Sequence, residues 1–455
     1  MVLGSTGSGK TVAVANAILG EVLSDYRNLP PEERTSVVIT DPKSDLVKAV
    51  LQGMCAHAPE LLGMVEYLDP FSAGGFPFNL NHLSNEKVGL DIRAIQLASL
   101  VSTVSTGTGG QKHLTAGARQ TELLRGLLRA CLDSPHEKAN VLWALDALTY
   151  PRTTGLKSLA AATSSMETAA LLRSLHISDE LRASTASRLR TAFGLTENLA
   201  RLVTSDSCVQ FPQLTAPGKV TLICLGEPPL ASLGEFWASL MVRLLLEYLL
   251  SRPSPWSHHS TRMVLDEAQM TVPAISDLAE RILTTGRSKG LSLVVMTQGT
   301  SLIKNESESL LRVLVSNTAN KMVGRLSASD AEIFAKEQTT SPGLDERLSE
   351  TRTKFVSEVT NLPDRMFFWT APNSRVRFRS VDVDLAYWKA AADVQEEELE
   401  SVKKKHALPP AKGSRSFLPL ATRTTSKARE SRGKSIGKTK GGGNGKSWNG
   451  GTKWG

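Results

Sequence analysis

The chain has 455 residues, 41% of them hydrophobic, which excludes a wholly disordered protein and is too long for one ordinary core. Its four cysteines, Cys55, Cys131, Cys208 and Cys224, form no CxxC pair. That excludes a disulfide scaffold and a zinc ribbon and leaves inert thiols in a reducing cytoplasm as the expectation. The net charge of +8 joins two unlike parts: residues 401–455 carry 14 basic and one acidic residue, and residues 1–400 carry 39 basic and 44 acidic.

Taken in chain order, the first feature is Gly4-Ser5-Thr6-Gly7-Ser8-Gly9-Lys10-Thr11, a complete GxxxxGK[ST] loop. Glycines let successive N–H groups turn toward a phosphate, and the helix that follows adds its positive end. Lys10 is the candidate for the β- and γ-phosphates of ATP and Thr11 a candidate Mg²⁺ ligand. Three residues precede the loop, so its strand reads as cut short. No signal peptide is read at this start. The expected location is cytoplasmic, with the inner face of the membrane reached through partners or through a missing N-terminal segment. A helix is expected over residues 12–23 and a buried parallel strand at 36–40 (SVVIT), followed by Asp41-Pro42-Lys43.

Residues 114–204 lose strand character, and Leu, Ala and Arg recur at helical spacing, so an all-α insertion is expected there. The polar loop 102–113 before it is a candidate pore loop with Lys112 on phosphate. Strands return at 219–225, 263–265 and 291–297, with a long helix over 233–250. The best apolar run, 236–250, is interrupted by Arg243 and Glu247, so it reads as a buried amphipathic helix and not a membrane span. His258 and His259 lie in a Ser/Pro/Trp loop and are expected in solvent.

Met263-Val264-Leu265-Asp266-Glu267 is an apolar strand ending in two acids, the Walker B pattern. Asp266 is the expected Mg²⁺ holder and Glu267 the expected general base. In ATPases with this second acid, another strand lies between the P-loop and Walker B strands and ends in a polar residue facing the γ-phosphate. Gln298, after 291–297, fits that sensor role. Arg287, in the turn before it, is a candidate arginine finger toward a neighbouring subunit. The whole reads as an α/β, RecA-like P-loop fold with a parallel-rich sheet. The expected domains are 1–113 (first part, Walker A), 114–204 (all-α), 205–395 (second part, Walker B and sensor) and 396–455 (disordered basic tail). Such a tail binds polyanions without sequence preference, and Trp448 and Trp454 among its lysines could stack on bases.

With these residues placed, the chain resembles the type IV secretion coupling proteins of the TraG/TraD kind, in the FtsK/HerA superfamily. The P-loop, Asp41-Pro42-Lys43, Leu68-Asp69-Pro70-Phe71, Phe78-Asn79-Leu80, the VLDEAQ run, the GRSKG turn and the TQ strand end occur in family order over residues 1–390. Asn81 stands where that family has proline, and the family's N-terminal membrane segments are lacking. The resemblance implies a homo-hexameric ring with ATP sites between subunits. It further implies translocation of DNA, often single-stranded, and delivery to relaxase and secretion-channel partners in conjugation. Two other functions fit the same residues: a nucleotide-switched docking adaptor that recruits a relaxase or effector, and a truncated, inactive remnant.

Overall fold

The computed structural model describes residues 1–71, 89–103, 117–133, 141–149, 154–174, 177–193, 209–225, 231–256, 258–271, 275–276, 278–338, 345–371, 374–380 and 385–405. Lys112, Phe78-Asn79-Leu80, Asn81, Cys208 and the tail from residue 406 on, with Trp448 and Trp454, lie outside them. Residues 1–410 form one compact unit.

Nine strands make one sheet: β1 Val2–Leu3, β2 Ser36–Asp41, β3 Val65–Leu68, β4 Val220–Cys224, β5 Thr261–Leu265, β6 Leu291–Thr297, β7 Lys321–Val323, β8 Met366–Ala371 and β9 Ser374–Arg379. Their order is β3-β4-β2-β5-β6-β1-β7-β8-β9. The pairs from β3 to β7 are parallel, and the β8–β9 hairpin adds an antiparallel edge. This is the expected α/β sheet, with β6 between the P-loop strand β1 and the Walker B strand β5. Strand β1 has two residues yet is paired on both sides, Leu3 with Thr297 and with Val323.

The strands are apolar on both faces because each face is covered. Val37 and Ile39 join Val2, Leu222, Val264 and Met296 in one core. Val38 points the other way, to Leu3, Ile223, Met263 and Leu265. The first core is closed by helices α1 (Lys10–Asn28) and α2 (Asp45–His57). The second takes the apolar stripes of α3 (Leu90–Thr103), α4 (Ala118–Asp133), α5 (Val141–Thr149), α6 (Thr154–Ala162), α7 (Met166–Ser174), α8 (Asp179–Phe193) and α9 (Ala231–Leu250). Helix α3 precedes the stretch where composition alone suggested helices, and it packs along α4.

In α9 the two charges that interrupt the apolar run do not face water. Arg243 and Glu247 are buried and pair across one helical turn, Nε to Oε1 at 2.5 Å. Each removes the charge the other would leave stranded. Among the described residues no helix is long and apolar enough to cross a membrane. Among the described residues Cys55, Cys131 and Cys224 are buried and form no disulfide.

Two sequence expectations are corrected. His259 is buried, its Nε2 2.6 Å from Thr215 O and its ring against Trp256; His258 alone of the pair is exposed. Residues 396–404, assigned to the disordered tail, form a helix. Glu396, Glu397 and Glu398 in its first turn and Lys403 and Lys404 in its last complement the helix dipole. Its Val402 is buried, and Lys405 just beyond it shares Glu66 Oε1 on β3 with Lys219, each at 2.6 Å.

Candidate active site

Strand β1 opens into a loop, residues 4–9, beside the end of β6. Gly7 and Gly9 have φ of +80° and +88°, a region that L side chains avoid. A Cβ on Gly4 would stand 2.6 Å from Ser8 Oγ. Ser5 N donates to Arg325 O at 2.7 Å and Arg365 N donates to Ser8 O at 3.0 Å, so the loop is tied to the segments around β7 and β8. Helix α1 starts with Gly9 as N-cap, with no capping side chain and no acid in its first turn. No acid of the helix itself and no capping side chain therefore takes up its first N–H groups and positive end. Ser8 Oγ is buried without a hydrogen-bond partner. A phosphate chain fits this set of donors.

Lys10 is buried, and its Nζ donates to Gly4 O and, at 3.1 Å, to Ser5 O. Burial pulls its pKa down, and the nearby Glu267 and Asp266 carboxylates push it back up. Thr11 follows in the first turn of α1.

The acids arrive on β5. Asp266 N donates to Thr40 O at 3.0 Å, continuing the ladder to β2, and Asp266 Oδ1 accepts from Glu267 N at 2.9 Å. Burial, and then the charges of Asp41 and Glu267, raise the Asp266 pKa to about 7. A cation beside it would restore its charge. Among the described residues no group of three His, Cys, Asp or Glu side chains could hold a metal by itself. A divalent ion here would draw on Thr11, Asp266 and the oxygens of phosphate and water, the donor set that Mg²⁺ accepts.

Glu267 has φ +47°, rare for a residue with a side chain. Its carboxylate accepts from Lys43 Nζ at 2.5 Å, from Gln298 Nε2 at 2.8 and 3.0 Å, and from Gln269 Nε2. Burial would raise its pKa; the hydrogen bonds from Lys43, Gln298 and Gln269 outweigh that and hold it below the usual value. Gln298 Oε1 in turn accepts from Thr6 Oγ1 at 3.1 Å. One chain of side-chain bonds thus runs from the P-loop through the end of β6 to the end of β5.

Gly4 through Thr11, Asp266, Glu267 and Gln298 therefore meet at the carboxyl ends of the central strands. Arg287 does not join them. It is exposed in the turn before β6, and Gln298 lies seven strand steps beyond Leu291, so the two stand roughly 20–25 Å apart at opposite ends of the strand. Sequence reading named Asp41, Lys43 and Gln269 only as parts of motifs, with no role, and missed Arg365. The DPK run was visible, but its place beside Glu267 depends on β2 pairing with β5, which no local pattern states. Nothing in the sequence marked Arg365.

No family model matches the sequence, and no curated protein matches it. Solved structures do. The chain is similar to the plasmid coupling protein TrwB in complex with the ATP analogue ADPNP, at TM-score 0.55 and 17% identity over 84% of both chains. It is similar to TrwB with ADP and Mg²⁺ at TM-score 0.54 and 17% identity, over 86% of this chain and 87% of that one. The chain has the fold of the conjugative coupling proteins. VirB4 of Thermoanaerobacter pseudethanolicus is similar too, at TM-score 0.54 and 14% identity, over 85% of this chain and 90% of that one. The likeness to TrwB with ADP and Mg²⁺ covers far more of this chain than a P-loop and its flanking elements would.

Proposed function

We propose that this chain is an ATP-hydrolysing motor of conjugative transfer or type IV secretion that moves DNA. The observation that carries the reading is the carboxylate of Glu267, held beside Asp266 and within electrostatic reach of Lys10, with Gln298 linking it to the P-loop. The likeness to TrwB, a conjugative coupling protein seen with ADPNP and with ADP and Mg²⁺, supports the choice of nucleotide and of process.

In this reading the loop 4–9 wraps the phosphates and Lys10 offsets their charge. Thr11 and Asp266 hold Mg²⁺, whose charge would offset that of the β- and γ-phosphates. Glu267 takes a proton from the attacking water, and the low pKa set by its donors keeps it ionised to do so. Gln298 senses the terminal phosphate. Arg287, being remote from its own site, serves as a finger toward a neighbouring subunit of a homo-hexamer. The DNA is single-stranded and bound without sequence preference. Relaxase and channel proteins are the partners, and the membrane is reached through them.

Hydrolysis should be measured with and without single- and double-stranded DNA. Lys10→Ala should abolish it, and Glu267→Gln should lower it by about two to three orders of magnitude while ATP stays bound. A rate indifferent to both nucleic acids would leave an ATPase that is no DNA motor.

A further inference from the structure

Lys43 stands beside the Glu267 carboxylate. It follows β2, the strand hydrogen-bonded to β5 from Ser36↔Thr261 to Thr40↔Leu265. Its backbone is fixed: Lys43 N donates to Asp41 Oδ1 at 2.8 Å, and Asp41 is itself fully buried and tied to α2 through Leu46 N and Val47 N. Its side chain is half-exposed, 47% against 9% for its partner Glu267, so it supports no core. What it does is reach across to Glu267 Oε1 at 2.5 Å.

Glu267 has reason to need holding. It sits in left-handed backbone, a conformation that persists only where the surroundings hold it. Here Oε1 takes Lys43 and Gln298, and Oε2 takes Gln298 and Gln269. Gln298 comes from β6 and Lys43 from β2, the two neighbours of β5. The acid is thus bracketed from both sides, and Lys43 is the one charged member of the bracket. An ordinary surface ion pair contributes little because both partners are solvated and free to choose other geometry. This pair differs in that Glu267 is buried and the backbone of Lys43 is anchored through Asp41.

We propose that Lys43 is a positioning residue for hydrolysis, aiming the Glu267 carboxylate from the β2 side as Gln298 does from the β6 side. The inference rests on the ATPase reading above. It assigns to the DPK run a role in the chemical step and none in binding the nucleotide.

The test uses the full chain and five proteins: wild type, Lys43→Met, Lys43→Arg, Glu267→Gln and the Lys43→Met/Glu267→Gln double variant. Steady-state and single-turnover ATP hydrolysis are read together with binding of a fluorescent ATP analogue. Lys43→Met should lower kcat by about tenfold or more, with KM and analogue affinity within about threefold of wild type. Lys43→Arg should recover much of the loss. In the Glu267→Gln background Lys43→Met should add almost nothing, because the two residues act as one unit. An undiminished kcat in Lys43→Met while Glu267→Gln is inactive would overturn the proposal and leave the ATPase reading standing. So would equal losses in both backgrounds, or a loss confined to KM, which would make Lys43 a phosphate ligand. Glu267→Gln at the wild-type rate would remove the base assignment and this role together.

Discussion

Asp41 offers a quantitative test of how the site is framed. Helix α2 begins after Ser44, a residue type that commonly caps helices, yet Ser44 makes no cap bond. Its φ is +66°, and its Oγ lies 2.8 Å from Cys224 Sγ. The cap comes instead from Asp41: Oδ2 accepts Leu46 N at 2.7 Å and Val47 N at 3.0 Å, and Oδ1 accepts Lys43 N at 2.8 Å. Replacing Asp41 with Ala strands three donors, and each buried N–H left unpaired costs about 1–3 kcal/mol. Against this, burial already disfavours the Asp41 charge and raises its pKa, so removing that charge recovers part of the loss. The net destabilisation should be about 2–4 kcal/mol. Asn keeps an acceptor for Leu46 and Val47 but presents an amide to Lys43 N, so Asp41→Asn should lose about half as much. Urea unfolding followed by far-UV circular dichroism reads both, as a lower midpoint at unchanged slope. A stability of Asp41→Ala within about 0.5 kcal/mol of wild type, or equal losses for Ala and Asn, would refute the capping argument.

Other expectations are as direct. Gly9→Ala forces a side chain to φ +88° and sets its Cβ 2.9 Å from Arg365 Cγ, whereas Gly20, exposed in the middle of α1, has nothing within 4 Å. Binding of a fluorescent ATP analogue should weaken by about tenfold or more in the first, while the second should gain about 0.5–1 kcal/mol in urea. Burial pushes the Cys131 thiol up to about 12, so in the native protein at pH 8 a thiol reagent should label Cys131 far more slowly than in urea, read by mass spectrometry of its peptide. Burial, reinforced by Arg252 and His258 against the bond to Thr215, lowers the His259 pKa. The neutral ring is the folded form. Its contribution is therefore full above about pH 6.5, the unfolded value, and is lost as pH falls through 6.5 toward the folded value. The stability of wild type relative to His259→Gln should shrink between pH 7 and 5, and a constant difference would contradict the assignment.

Much of this arrangement could be read from local pattern, for reasons that also say where reading stops. The P-loop, β2, β4, β5 and β6 announce themselves because parallel strands covered on both faces are short unbroken apolar runs, and the loop's glycines have a backbone reason to be there. Gln298 was legible because a polar residue ending such a run has nowhere to go but the sheet edge. The β8–β9 hairpin was not read: MFFWTA resembles a buried helix segment, and SRVRFR gains meaning only when Phe378 stacks on Phe367. His259 misled because solvent was inferred from neighbouring Ser and Pro, whereas Thr215, 44 residues away, supplies its partner. The contacts that tune Glu267 join the ends of β2, β5 and β6, and such neighbours are fixed by strand order, which single-chain periodicity does not encode.

Strand β6 carries one more implication. Arg287 stands just before its first residue and Gln298 just after its last. The same seven residues thus join an exposed arginine at one end of the strand to the carboxylate pocket at the other, and a one-residue slip of β6 against its neighbours would displace both ends at once.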